Sequence, residues 1–237
     1  MIENIIAIDG PAGSGKSSVA REISEKIGYS YLDSGAYYRA VTLFFMRIFR
    51  QEKKNENFSD WIMKQGVAKY LDQVTVECIL SNNGENTVIL NGENVSREIR
   101  SPDVTNEIKY LAPVKEVRDF VNQRIRRLAQ NHLLILDGRD IGTEVFPESR
   151  FKFFLTASAD VRAERRYREL QEKGFQPDFE SLKKEIVHRD KTDSERKIAP
   201  LRQANDAFLI DTSGLSKDVV IRTIISELRS RGLTPKK

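Results

Sequence analysis

Residues 5–20 read Ile-Ile-Ala-Ile-Asp-Gly-Pro-Ala-Gly-Ser-Gly-Lys-Ser-Ser-Val-Ala. The run from Ile2 to Ile8 is short and apolar, ends at Asp9 and Gly10, and reads as a strand buried on both faces. Behind Lys16, the residues Val19, Ala20, Ile23 and Ile27 keep helical spacing until Gly28 stops the helix. Between strand and helix, Gly10-Pro11-Ala12-Gly13-Ser14-Gly15-Lys16-Ser17 fits G-x-x-x-x-G-K-[ST] in the strand-to-helix context the pattern requires. Glycines let backbone N–H groups turn inward around an anion, and the helix amino terminus adds a partial positive charge. Lys16 is therefore expected to reach the β- and γ-phosphates of a nucleoside triphosphate, and the Ser17 hydroxyl to ligate Mg²⁺.

Outward from the loop, strands and helices alternate. Tyr31 to Asp33 reads as a second strand, and Ser34 opens a helix carrying Tyr38, Val41, Phe44, Phe45 and Ile48 that fades in the polar tract Gln51 to Asn57. From Trp61 to about Arg100 the pattern changes to a short helix, a run Val74 to Leu80, a turn at Asn82 to Gly84 and a run Thr87 to Leu90. Turn residues between β-rich runs predict a small antiparallel sheet, inserted into the main fold. An amphipathic helix is expected over Val114 to Gln130, a strand over Leu133 to Leu136, and another over Phe151 to Leu155. Helices over about Ala159 to Lys173 and Phe179 to Arg189, a strand at Ala207 to Ile210, and a helix capped by Ser216 complete the chain. Alternation of this kind implies a parallel sheet covered on both sides, with a ligand at the carboxyl ends of the strands.

A chain of 237 residues suits one catalytic unit, and 39% hydrophobic against 31% charged residues fits a globular protein with a core and a heavily solvated surface. The net charge of +4 is too small to argue for nucleic acid, but arginines crowd between Arg97 and Arg202, as expected for a compact polyanionic ligand, with solvated helix faces accounting for about half of them. Cys78 is the single cysteine, which rules out an intramolecular disulfide, and its apolar neighbours predict a buried, inert thiol. Met1 to Asp9 runs straight into the glycine-rich loop without a charged leader and cleavage site, so a cytoplasmic protein is expected. No apolar run approaches the roughly 20 residues that span a bilayer, so no membrane partner is expected. No exposed apolar stripe stands out, and a monomer is expected. His132 and His188 read as structural.

The loop alone would fit a GTPase switch, a motor or a small-molecule kinase. The Asn-Lys-x-Asp type motif by which switches read guanine is absent, and ATP-driven motors are usually longer, which leaves a small kinase. Leu133 to Leu136 ends in Asp137, a carboxylate such enzymes hold near the metal through water; capping the turn at Gly138 is the alternative role.

Three further stretches sharpen this: Leu32-Asp-Ser-Gly-Ala-Tyr-Tyr-Arg39, Asp137-Gly-Arg-Asp-Ile-Gly142, and Arg189-Asp-Lys-Thr-Asp-Ser-Glu-Arg196 followed by Ala199-Pro-Leu201. With the phosphate loop, in this order over nearly the whole chain, they resemble the bacterial cytidylate kinases. The resemblance implies an α/β P-loop nucleoside monophosphate kinase fold: a five-stranded parallel sheet flanked by helices, an antiparallel insertion and a helical lid. It implies a single kinase unit with its core at about 1–35, 105–157 and 190–237, an acceptor-binding part with the insertion at about 36–104, and the lid at about 158–189. The implied reaction moves the γ-phosphoryl of ATP to CMP or dCMP with Mg²⁺.

Roles follow from the resemblance residue by residue. ATP falls to Gly10 through Ser18, with Arg162 and Arg166 of the lid helix, where Arg165 and Arg168 also lie; one or two of these, with Arg196, should touch the phosphates. Arg39 and Arg139 match the arginines that grip the CMP phosphate, a task suited to planar guanidinium forks. Asp140 and Arg118 match positions that read cytosine, since a carboxylate accepts from its 4-amino group and repels the 4-oxo group of uracil. Ser34, Tyr38, Arg189 and Asp193 complete the CMP site, Asp193 being suited to ribose hydroxyls; pairing with Arg189 or Arg196 on the surface is its alternative role. The expected catalytic set is Lys16, Arg139 and Arg196, and the metal set Ser17 and Asp137. The acceptor oxygen is already anionic, so no protein nucleophile is needed.

One position departs from the family pattern. Where a small hydroxyl residue is expected before Arg118, this chain has Lys109. An ammonium only donates, so it either points at the base and favours the uracil 4-oxo group or, as expected, turns outward and leaves Asp140 to read the base. Rival readings are a UMP/CMP or other monophosphate kinase and, outside enzymes, an RNA-associated phosphate-loop regulator.

Overall fold

A computed structural model describes residues 2–52, 56–81, 85–172 and 174–233. In chain order the elements are β1 (Ile2–Asp9), α1 (Lys16–Ile27), β2 (Ser30–Asp33), α2 (Ser34–Gln51), α3 (Phe58–Gln65), α4 (Ala68–Leu71), β3 (Val76–Ile79), β4 (Thr87–Leu90), β5 (Glu93–Asn94), α5 (Pro102–Leu111), α6 (Lys115–Ala129), β6 (Leu134–Gly138), β7 (Ser149–Thr156), α7 (Ala159–Glu172), α8 (Phe179–Glu195), β8 (Phe208–Asp211) and α9 (Lys217–Ser230). A 3₁₀ turn covers Glu98–Arg100 and a π-turn Ile141–Val145. Five strands make one sheet in the order β2-β6-β1-β7-β8, and three make a second in the order β3-β4-β5.

Two compact units divide the chain, Met1–Tyr29 with Leu133–Lys237, and Ser30–His132. In the first, β1 pairs in parallel with β6 on one side and β7 on the other, and β8 follows β7 in parallel. Ile5, Ile6, Ala7 and Ile8 have no exposed surface, as do Leu134, Ile135 and Leu136 beside them. Each such Ile or Leu contributes about 1.5–3 kcal/mol, which explains why these strands are short uninterrupted apolar runs. The register aligns Asp9 with Gly138, so the chain leaves β1 and β6 at the same carboxyl edge. Helix α1 starts after Gly15 (φ 89°) and stops at left-handed Gly28 (φ 71°). Ser216 caps α9 by accepting from the Val219 amide, a bond worth about 1 kcal/mol, and Val220, Ile224 and Leu228 are buried as their spacing predicts.

In the second unit, α2 buries Tyr37, Val41, Leu43 and Phe45, and Phe45, Phe49, Phe58, Trp61 and Tyr70 pack edge-on, tilted or, for Phe58 on Trp61, stacked in one aromatic cluster. The small sheet is antiparallel, with Cys78 opposite Val88. Burial pushes the Cys78 thiol up to about 12, which makes it inert.

Several details differ from the sequence expectations. Helix α8 runs to Glu195 rather than ending near Arg189, so the Arg189–Glu195 motif rides on a helix. Helix α5, strand β5 and the π-turn were not expected; Ser101 accepting from the Val104 amide, with Pro102 in the first turn, starts α5. The expected turn at Asn82 to Gly84 lies outside the described residues, as does part of the polar tract, residues 53–55. Among the described residues no helix is long and apolar enough to cross a membrane.

Candidate active site

The phosphate loop is shaped by steric necessity. Gly10 has φ 145°, and a Cβ there would stand 2.0 Å from the Leu155 carbonyl oxygen, so only glycine fits. Lys16 is 4% exposed and its ammonium donates to Pro11 O at 2.6 Å and Ser14 Oγ at 3.4 Å. Burial, then the nearby Arg139 guanidinium, brings its pKa down to about 7, against the pull of Asp137 and Asp9. Ser17 Oγ donates to Asp137 Oδ2 at 2.7 Å. This hydroxyl and carboxylate, converging from the start of α1 and the end of β6, are hard oxygen donors of the kind a Mg²⁺ ion takes.

Beyond Asp137 the loop after β6 carries Arg139 and Asp140 into a charged chain. Arg139 Nε donates to Asp193 Oδ2 at 2.9 Å; Arg196 lies 3.8 Å from Asp193 and 3.5 Å from Asp140. The Arg196 Nε also donates to the Ala199 carbonyl, and Ala199 adopts a left-handed φ of 49° that costs about 1 kcal/mol for a residue with a Cβ. Two guanidiniums and two carboxylates thus alternate. Side chains of Arg196 and Asp140 are each 7% exposed, where an unpaired charge would be costly. Asp193 is reached because α8 extends past Arg189. Arg189 sits on the same helix, near enough to help depress Lys16.

Asp9, which the sequence marks only as the end of the first strand, is 4% exposed, and its two oxygens accept from the Ile141 amide at 2.8 Å and the Gly142 amide at 2.7 Å. Burial drives its pKa up to about 7, with Asp140 pushing the same way and the two amides and Lys16 opposing. No sequence periodicity flags it, because its partners lie 132 and 133 residues away.

The arginines of α7 diverge. Arg162 is nearly buried and bonds Asp190 with both terminal nitrogens, Ala157 O through Nε, and Ala12 O of the phosphate loop at 3.1 Å. Its Cβ approaches Gly13 so closely that a Cβ on that glycine would lie 3.1 Å away. Arg165 bonds Thr212 and stands beside Gly15. Arg166, expected among the ATP contacts, pairs with Glu169 at a half-exposed position, and Arg168 pairs with Glu164.

Within the second unit, Ser34 is buried at the start of α2, and Arg39 donates to Asp33 at 3.2 Å across Gly35, where a Cβ would meet both side chains at 3.0 Å. Arg118 is 3% exposed, lies over the Tyr38 ring at 5.4 Å and donates to Ala112 O. Lys109 is exposed in the last turn of α5, with its ammonium 5.0 Å from the Tyr110 ring centroid. His132 and His188 are exposed.

A family model described as "Cytidylate kinase" matches residues 6–230. A cytidylate kinase of Streptococcus uberis is 43% identical over 92% of this chain and 93% of its own, and one of Desulforamulus reducens is 45% identical over 93% and 95%. The fold is also that of an uncharacterized protein from Eubacterium ventriosum, with a TM-score of 0.51 at 14% identity over 95% of this chain and 98% of that one. With motifs, geometry and relatives in agreement, this chain belongs to the cytidylate kinase family.

Proposed function

We propose that this protein transfers the γ-phosphoryl of ATP to CMP or dCMP, giving ADP and CDP or dCDP. The observation that carries this reading is the chain Arg139–Asp193–Arg196–Asp140 at the edge of the sheet from which the phosphate loop also emerges. Cations for transferring phosphates and a carboxylate of the right sign for cytosine are held in one network, buried at Arg196 and Asp140 and half-buried at Arg139 and Asp193. Lys16 follows the γ-phosphate, and Arg139 and Arg196 stabilise charge on the transferring group. Asp140 accepts from the cytosine 4-amino group. A buried acceptor facing the uracil 4-oxo group would be left unpaired, and that sets the selectivity.

Ser34, Tyr38, Arg39, Arg118, Arg189 and Asp193 are assigned to CMP, and Gly10 through Ser18, with Arg162 and Arg166, to ATP. Ser17 and Asp137 would hold Mg²⁺, which when bound neutralises charge on the β- and γ-phosphates. Residues of about 158–189 act as a lid that excludes water and so suppresses ATP hydrolysis; about 36–104 serve the acceptor, and the remainder is the core. The protein works as a cytoplasmic monomer. Turnover with ATP and Mg²⁺ should be much faster for CMP and dCMP than for UMP, AMP or GMP. A preference for UMP would assign another monophosphate kinase, and nucleotide binding without turnover of any monophosphate would leave a regulator.

A further inference from the structure

The first amides of a helical turn have no partner within the turn and need an acceptor, ordinarily the side chain of the residue just before it. Before the π-turn Ile141–Val145 that residue is Asp140, a good cap by type, yet its side chain makes no capping bond. Both amides are taken instead by Asp9, one by each carboxylate oxygen. The Asp140 carbonyl still closes the turn, accepting from Glu144 and Val145, while its carboxylate faces Arg196.

The backbone behind this arrangement is fixed from other directions too. Ile141 O accepts from the Phe146 amide at 2.7 Å. The stem of Lys152 lies where a Cβ on Gly142 would come within 3.1 Å, and its ammonium donates to Pro147 O and Asp206. Asp9 is the residue immediately before the phosphate loop, so one carboxylate joins the entry to the donor loop to the segment bearing Arg139 and Asp140.

We propose that Asp9 is a positioning residue that caps the π-turn from a distance, freeing the Asp140 carboxylate to read the acceptor base and fixing the Arg139–Asp140 segment against the phosphate loop. The inference rests on the assignment of Asp140 to the base. Asp9 touches no substrate; it acts through the backbone of residues 139–142. Any residue at position 9 that accepts from fewer than both amides should let Asp140 swing toward the orphaned one, because local capping is what an aspartate before a helical turn otherwise does.

The test is steady-state kinetics at pH 8 on wild type, Asp9→Asn, Asp9→Ser and Asp140→Ala. Asparagine retains one accepting oxygen and turns a donor toward the second amide; serine offers a single neutral oxygen, on a shorter side chain, in place of the two carboxylate oxygens. Both should raise KM for CMP by about tenfold or more and reduce the CMP-to-UMP ratio of kcat/KM, with KM for ATP within about threefold of wild type. Equal rises in both KM values, or an unchanged CMP-to-UMP ratio while Asp140→Ala erodes it, would overturn the role of Asp9. An unchanged ratio in Asp140→Ala would bring down the base assignment and the inference with it. Amide exchange of wild type needs no variant: the Ile141 and Gly142 protons should be strongly protected, and fast exchange at both would also refute the cap.

Discussion

Replacing Lys109 by serine restores the hydroxyl that the family pattern leads one to expect, and the structure predicts that little specificity follows. The Lys109 side chain is exposed, and its ammonium rests over the Tyr110 ring at 5.0 Å. An exposed cation–π contact is worth about 0.5–1 kcal/mol, and a cation in the last turn of a helix about 0.3–1 kcal/mol. Lys109→Ser should therefore cost at most about 2 kcal/mol of stability, seen as a modest fall in Tm, while the CMP-to-UMP ratio of kcat/KM changes by less than about tenfold, roughly 1.4 kcal/mol. Asp140→Ala should erode most of the preference. A spectrophotometric assay coupled to ADP release, run with each acceptor across its KM, gives both ratios. If Lys109→Ser raises the ratio about a hundredfold, some 2.7 kcal/mol, the lysine faces the base and the outward orientation is wrong.

Lys16→Ala should lower kcat at least about a hundredfold with the fold retained; near-normal turnover of the folded variant would remove Lys16 from the mechanism. Arg139→Ala should raise KM for CMP much more than KM for ATP, and equal rises would reassign it to the donor. Asp9 gives a pH signature: its pKa is about 7 in the folded chain, shaped by burial, Asp140, Lys16 and two amides, against about 3.9 unfolded. Between those values the native state binds the extra proton, so the contribution of Asp9 to stability is present below pH 4 and lost as pH rises through 7. Urea titrations should show the stability of wild type relative to Asp9→Asn declining across that window; a flat or rising difference would contradict the shift.

The elements legible in the sequence are those whose cause is local. The phosphate loop declared itself because φ 145° at Gly10 and a backbone carbonyl 2.0 Å from its missing Cβ leave no other residue possible. Strand β1 did so because a strand buried on both faces must be apolar throughout. The sequence places the end of α8 near Arg189 because Arg189 to Glu195 is polar and mostly exposed, so no apolar period marks it; Asp193 lies in that stretch and Arg196 just beyond it. Strand β5 has two exposed residues and carries no pattern at all. Helix α5 was a missed signal, since Ser101 and Pro102 spell a cap and first turn. Asp9 was illegible for a different reason: its partners are backbone amides more than a hundred residues on, and amides have no sequence signature.

Family membership leaves the reaction of this particular chain to be measured, and the most direct measurement follows the phosphorus. ATP labelled at the γ-phosphoryl is mixed with Mg²⁺ and equal concentrations of CMP and UMP, and the products are separated before either acceptor is depleted. The label should appear in the β-phosphate of CDP, with little in UDP or in inorganic phosphate. Label chiefly in UDP, or in inorganic phosphate at a rate unaffected by CMP, would contradict the account.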